Sequence, residues 1–222
     1  MSEKVLLKKF PVIFVLALTL AACSDMQVTI PGVAKPIVRE EFVLGETGSW
    51  LLESDDSGST AIVPEQLLIE VKSPQVVQYA TLTEPALADF SLKVDGRILS
   101  GSPQSSYGVL FRMQGPQQFY RFEITGDGTY ILERHDAGGS RALFMGDWRD
   151  AEAINQGLNV VNSLGIEAHG PNISLFVNDV LLEQLADDTY ASGNIALDAG
   201  TFDLAPAQVA FDNLVVYPPG EN

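Results

Sequence analysis

Apolar residues recur at every second position along most of this chain, and that period constrains the fold more than any other feature. In residues 89–98, Phe90, Leu92, Val94 and Ile98 share one parity, while Ser91, Lys93, Asp95 and Arg97 take the other. Successive side chains of a strand point to opposite faces, so such a stretch buries one face and wets the other. Tyr120, Phe122 and Ile124 repeat the pattern, as do Tyr130 and Leu132. Between these runs, Gly126-Asp127-Gly128 supplies the glycine-rich geometry of a tight hairpin. Ile173, Leu175 and Val177 alternate with Ser174, Phe176 and Asn178, and Asn178-Asp179 marks a second turn before residues 180–185. Further strands are expected at residues 66–71, 76–82, 107–113, 163–168, 194–198 and 209–217. Helical periodicity is nearly absent: residues 150–156 and 85–88 are each expected to form no more than one short turn. About a dozen strands, most with one apolar face, predict an all-β fold: a jelly-roll sandwich of two antiparallel sheets.

The first residues follow another logic. Lys4, Lys8 and Lys9 precede an apolar run, residues 10–20, interrupted by Thr19, and then Ala21 and Ala22. A basic start, an apolar core and a small-residue exit describe a secretory signal. The run falls short of the ~20 residues a permanent membrane span needs. Leu20-Ala21-Ala22-Cys23 resembles the bacterial lipobox. The resemblance implies lipid attachment to Cys23, cleavage after Ala22 and acylation of the new N-terminus. An ordinary signal with an incidental cysteine, or a short membrane anchor, would share the earlier zones. Cys23 is the only cysteine, which excludes an intramolecular disulfide framework and a cysteine-rich zinc site. More than one acyl chain gives a stable anchor. The chain therefore divides into a signal at 1–22, a tether at 23–38 with Pro31, Gly32 and Pro36, a domain at 39–218 and a tail at 219–222. The expected place is the cell envelope. Where the host has two membranes, Ser24 after the cysteine, with aspartate only at Asp25, favours the outer one.

Charge limits the partners. The chain carries a net −16, and residues 1–22 hold three lysines and one glutamate, so the rest carries −18. That opposes nucleic acid and anionic lipid surfaces. The adjacent pairs Asp55-Asp56 and Asp187-Asp188 lack calcium-loop spacing, so no cofactor is expected and calcium has no motif behind it. His135 and His169 lie far apart and are expected at strand ends; no nucleophile elbow, phosphate loop or zinc spacing is present.

A series of segments carries a family resemblance. Asp89-Phe90-Ser91-Leu92-Lys93-Val94-Asp95, Tyr107-Gly108-Val109-Leu110-Phe111-Arg112 and Phe119-Tyr120-Arg121-Phe122-Glu123-Ile124 come first. Asn172-Ile173-Ser174-Leu175-Phe176-Val177-Asn178, Gly193-Asn194-Ile195-Ala196-Leu197 and Phe211-Asp212-Asn213-Leu214-Val215 follow. In this order they resemble the concanavalin A-like lectin/glucanase jelly roll, in its laminin-G-like and 3-keto-glycoside-hydrolase-related branch, over residues 39–218. The resemblance implies turns at Asn178 and Asn213. Glucanases of the related hydrolase family place carboxylates as Glu-x-Asp-x-x-Glu or Glu-x-Asp-x-Glu on one strand, across the scissile bond. This chain has no such run. The favoured expectation is a non-catalytic module that binds a glycan or another envelope protein. A carbohydrate-active hydrolase of the keto-glycoside branch is the alternative, and a structural role in a lipoprotein complex is the third.

One surface stands out. If Val109 and Phe111 point inward, Leu110 and Arg112 point outward, joined by Phe119, Arg121 and Glu123 on the next strand and by Ile131, Glu133 and His135 on the third. The candidate ligand site is Arg112, Phe119, Arg121, Glu123 and Glu133: an aromatic ring to stack on, with fixed charged hydrogen-bonders around it. The plainer reading is a set of ion pairs on a solvated sheet. In either case Arg121→Ala is expected to change stability by no more than about 0.5 kcal/mol, as exposed positions do. Trp148 is a possible second platform, and Trp50 is expected in the core.

Overall fold

The computed structural model describes residues 35–144 and 147–220; Cys23 and the signal-like segment lie outside the described residues. The first eight strands are β1 (Val38–Glu40), β2 (Trp50–Leu51), β3 (Gly58–Val63), β4 (Gln66–Val71), β5 (Val77–Leu87), β6 (Phe90–Ser100), β7 (Ser106–Gly115) and β8 (Gln118–Thr125). Next come β9 (Thr129–Asp136), β10 (Gly139–Ala142), β11 (Arg149–Asp150), β12 (Asn162–His169), β13 (Asn172–Val177), β14 (Val180–Ala186), β15 (Gly193–Gly200) and β16 (Ala207–Tyr217). One sheet runs β14-β13-β12-β6-β16-β4-β3, with β1 also on β16. The other runs β10-β9-β8-β7-β15-β5-β2, with β11 also on β9. Their strands pair antiparallel, and the two sheets form a sandwich; no helix forms among the described residues.

Alternation decides which faces meet. Phe90, Val94, Ile98, Ile166 and Phe211 of the first sheet pack against Val109, Phe111, Phe122, Ile124 and Leu197 of the second. Two edge-on aromatic contacts join the sheets, Tyr107–Phe211 at 6.1 Å and Phe90–Phe111 at 6.3 Å. Gly96 allows the first of them: a Cβ there would lie 2.7 Å from the Tyr107 ring. Trp50 is buried against Phe42, as expected of a core residue. A small polar knot pins the loop before β12. Buried Asn162 donates to Tyr107 OH at 3.0 Å, and its Oδ1 accepts from Asn155 N at 2.7 Å and Asn178 Nδ2 at 2.9 Å.

The local turn signals hold. The 126–128 glycines close the β8–β9 hairpin, and Asn178 and Asp179 both take positive φ (52° and 66°), as a two-residue β13–β14 turn demands. Three expectations need correction. Residues 85–87 form no helical turn; they extend β5, whose register against β15 shifts between Gly193 and Ile195. Asn213 sits not at a turn but in a bulge of β16, at φ 53°, between Asp212 and Val215. The strand at β3 was not expected, because Gly58–Val63 lacks strict alternation of apolar and polar residues.

Candidate functional site

The outward face of the second sheet is built in rows across the strands. One row reads Ile131, Glu123, Gly108, Asp198 and Tyr79, from β9 through β8, β7 and β15 to β5. The next reads Glu133, Arg121, Leu110, Ala196, Thr81 and Leu51. A third begins with His135 and Phe119. Four of the five expected residues, Phe119, Arg121, Glu123 and Glu133, therefore share this face.

Arg112 does not share it. It takes φ 49° where the β7–β8 register shifts between Phe111 and Gly115, and this bulge turns it off the outward face. Its side chain is 1% exposed, donating from Nε and Nη2 to Ala88 O at 3.0 and 2.9 Å and from Nη1 to Tyr190 O at 3.2 Å. Arg112 is a structural pin between loops, not a ligand-facing group.

Phe119 is on the face but is not an open platform. Its ring stacks on His135 at 4.9 Å and belongs to a buried cluster with Leu110, Met113 and Ala196, against which Tyr79 packs. The ring face meant for a ligand is already used by a neighbour. His135, at the end of β9, is held in turn by Ser140 Oγ at 2.7 Å from Nδ1.

The charged groups form a chain with a buried floor. Arg121 Nε lies 3.2 Å from Glu123 Oε2, and Arg121 Nη2 lies 2.5 Å from Glu133 Oε2. Ser106 Oγ donates to Glu123 Oε1 at 2.8 Å. Glu123 is only 1% exposed, against 18% for Arg121 and 15% for Glu133. This overturns the solvated cross-strand reading of Glu123. Asp198, which the sequence reading did not single out, is fully buried, and neither of its oxygens meets a donor. Gly108 separates Glu123 from Asp198 in the row and offers no side chain between them. Burial first, and the charge of Glu123 second, push Asp198 well above the usual carboxylate range. That shift favours the protonated form of Asp198, which can supply a donor toward Glu123. Burial works against the charge on Arg121, but Glu123, Asp198 and Glu133 outweigh it and hold the guanidinium charged.

At one end of the face two loops meet. Trp148, just before β11, contacts Phe202, just after β15, edge-on at 5.8 Å. β8 and β7 lie between β9 and β15, so this contact bridges that end of the sheet. Trp148 is thus a wall shared with Phe202. Asp187, of the acidic pairs, accepts from Tyr120 OH at 2.5 Å and Arg134 Nη1 at 2.8 Å. Among the described residues no cluster of three or more histidine, cysteine or acidic side chains is arranged to hold a metal.

These features define a concanavalin A-like jelly-roll sandwich of the kind found in carbohydrate-binding modules and glycoside hydrolases. The model of the 3-keto-alpha-glucoside-1,2-lyase-like domain matches residues 47–216, and the chain belongs to that family. A search of curated proteins finds no match. Among solved structures, the carbohydrate-binding module CBM66 from Bacillus subtilis superposes with a TM-score of 0.61 at 16% identity, over 76% of this chain and 95% of that one. The catalytic domain of an endo-1,3-beta-glucanase (laminarinase) from Thermotoga petrophila superposes with a TM-score of 0.60 at 12% identity, over 84% of this chain and 98% of that one. At such identities the likeness is one of fold.

Proposed function

We propose that this chain is an envelope lipoprotein, anchored through Cys23, whose second sheet presents a sugar-binding face. One observation carries the binding reading. The two innermost carboxyl groups, Asp198 and Glu123, are sealed, whereas Arg121, Glu133, His135 and Tyr79 retain solvent access on one face. Fixed donors and acceptors beside aromatic edges suit hydroxylated rings. A sealed carboxyl cannot reach a substrate in this arrangement, so recognition is favoured over turnover. The anchor rests on the ordered zones before Cys23, and the outer membrane on the Ser24-Asp25 sequence.

Mass spectrometry of the native N-terminus tests the anchor: the expected product begins at an acylated Cys23, and an unmodified or intact Met1 end would refute it. A glycan array followed by titration tests the face. Glu133→Gln is expected to weaken the best array ligand by about 1–3 kcal/mol, the cost of losing a charged hydrogen-bond partner. Unchanged affinity would remove this face from the account. The second reading, an enzyme acting on a glycoside, is favoured by two neighbouring buried carboxyl groups, Asp198 with its pKa raised and Glu123 beside it, the kind of pair acid–base chemistry uses. Sugar release by purified protein that vanishes in Glu123→Gln would make that reading the correct one.

A further inference from the structure

The outward face of the first sheet has a site of its own. Two rows cross it. Ser174, Glu167, Ser91 and Tyr217 form one; Phe176, Gly165, Lys93, Val215 and Arg39 form the other. Phe176 and Tyr217 stand on β13 and β16, with β12 and β6 between them. Three strand spacings put them roughly 14 Å apart along the sheet, so the two rings cannot cover one another. A hollow of about 330 Å³ opens here, lined by Phe176, Tyr217, Val215, Lys93, Glu167 and Ser91 among others.

The floor is kept low by one residue. Gly165 lies between Phe176 and Lys93, and a Cβ there would come within 3.1 Å of the Phe176 Cβ. Phe176 is aimed by a bulge: the β13–β14 register shifts between Leu175 and Phe176. The polar groups around the hollow are tied in place. Lys93 Nζ lies 2.7 Å from Asp179 Oδ1, and Arg39 Nη2 donates to Tyr217 OH at 3.3 Å.

Chemistry selects the occupant. Lys93, paired with Asp179, and Glu167 line the hollow, and Arg39 stands beside it on Tyr217, so no cluster of one sign faces the space to attract an ionic ligand. A purely apolar ligand would desolvate an ion pair and a carboxylate without replacing their hydrogen bonds. A hydroxylated ring meets both demands: its apolar face lies on an aromatic wall, and its hydroxyls reach the fixed donors and acceptors. The volume is at the lower end of ligand pockets.

We propose that this hollow is a second saccharide-binding site, taking a short uncharged oligosaccharide between Phe176 and Tyr217. It lies on the other sheet from Glu133 and Arg121 and stands whether or not that face binds a sugar. Methyl nuclear magnetic resonance of the purified protein, titrated with cellotetraose and with laminaritetraose, tests it. Saturable shifts at Val215 are expected with at least one of them. Affinity should fall at least tenfold in Phe176→Ala and in Tyr217→Ala, return in Phe176→Tyr, and stay unchanged in Glu133→Gln. Should an alanine variant fail to fold, Phe176→Leu keeps the bulk, removes the ring and reads the same loss. Silence at Val215 with both sugars up to about 10 mM, a concentration that reveals even millimolar binding, overturns the proposal. So do shifts that survive loss of the Phe176 ring, or shifts that disappear in Glu133→Gln.

Discussion

Replacing Arg121 by alanine is expected to lower the free energy of unfolding by about 3–5 kcal/mol, the range for removing one partner of a buried ion pair. The reason is Glu123. Its carboxylate is 1% exposed, with Arg121 Nε 3.2 Å from Oε2 and the Ser106 hydroxyl donating at 2.8 Å to Oε1. Without the guanidinium, a buried anion sits beside Asp198 and Glu133 with no cation to offset it. Arg121→Lys should recover only part of the loss, because one ammonium cannot match a planar fork that serves Glu123 and Glu133 together. Adding Glu123→Gln to Arg121→Ala should restore stability, because the stranded charge is then gone. Urea denaturation of the four proteins measures all of this. A change within about 0.5 kcal/mol for Arg121→Ala, typical of open surface, would show that the face is wet, as alternation alone implies.

That contrast marks what the sequence makes legible. Alternation and turn chemistry are local, so the hairpin at 126–128, the turn at Asn178-Asp179 and the core parity of Phe90, Val109 and Phe122 could be read directly. Register between distant strands is not local. β15 runs between β5 and β7, which brings Asp198 level with Gly108 and Glu123, and no spacing near residue 123 announces that. A weaker signal was available. Leu110, Ile131 and Ala196 occupy outward parity yet are apolar, and all three are buried. Apolar residues on both parities of adjacent strands indicate a face that is covered in part rather than solvated. Arg112 was misplaced for another reason. In sequence, Val109, Phe111 and Met113 continue the apolar alternation although Met113 packs on the outward side with Leu110 and Phe119, so nothing in the pattern reveals the positive φ at Arg112.

Asp198 should impose a pH dependence that its neighbours do not. Its pKa in the folded protein is raised, by burial first and by Glu123 second, while in the unfolded chain it titrates near ~4. Below that value both states hold the proton, and the group leaves stability unchanged. Above it the unfolded chain releases a proton that the fold retains, so stability falls with rising pH, by up to about 1.4 kcal/mol per unit, until the folded pKa is reached. Asp198→Asn removes the titrating group and keeps a donor for Glu123. The variant is expected to gain on the native protein as pH rises above about 4. The other groups that face this position, Arg121 and Glu123 on β8, Glu133 and His135 on β9 and Tyr79 on β5, are present in both proteins. A gap that is the same at pH 4 and pH 7 would mean that Asp198 ionises in the fold as it does in the open chain. A variant that loses ground as pH rises would mean that Arg121 and Ser106 stabilise a charged Asp198, reversing the assignment of the proton.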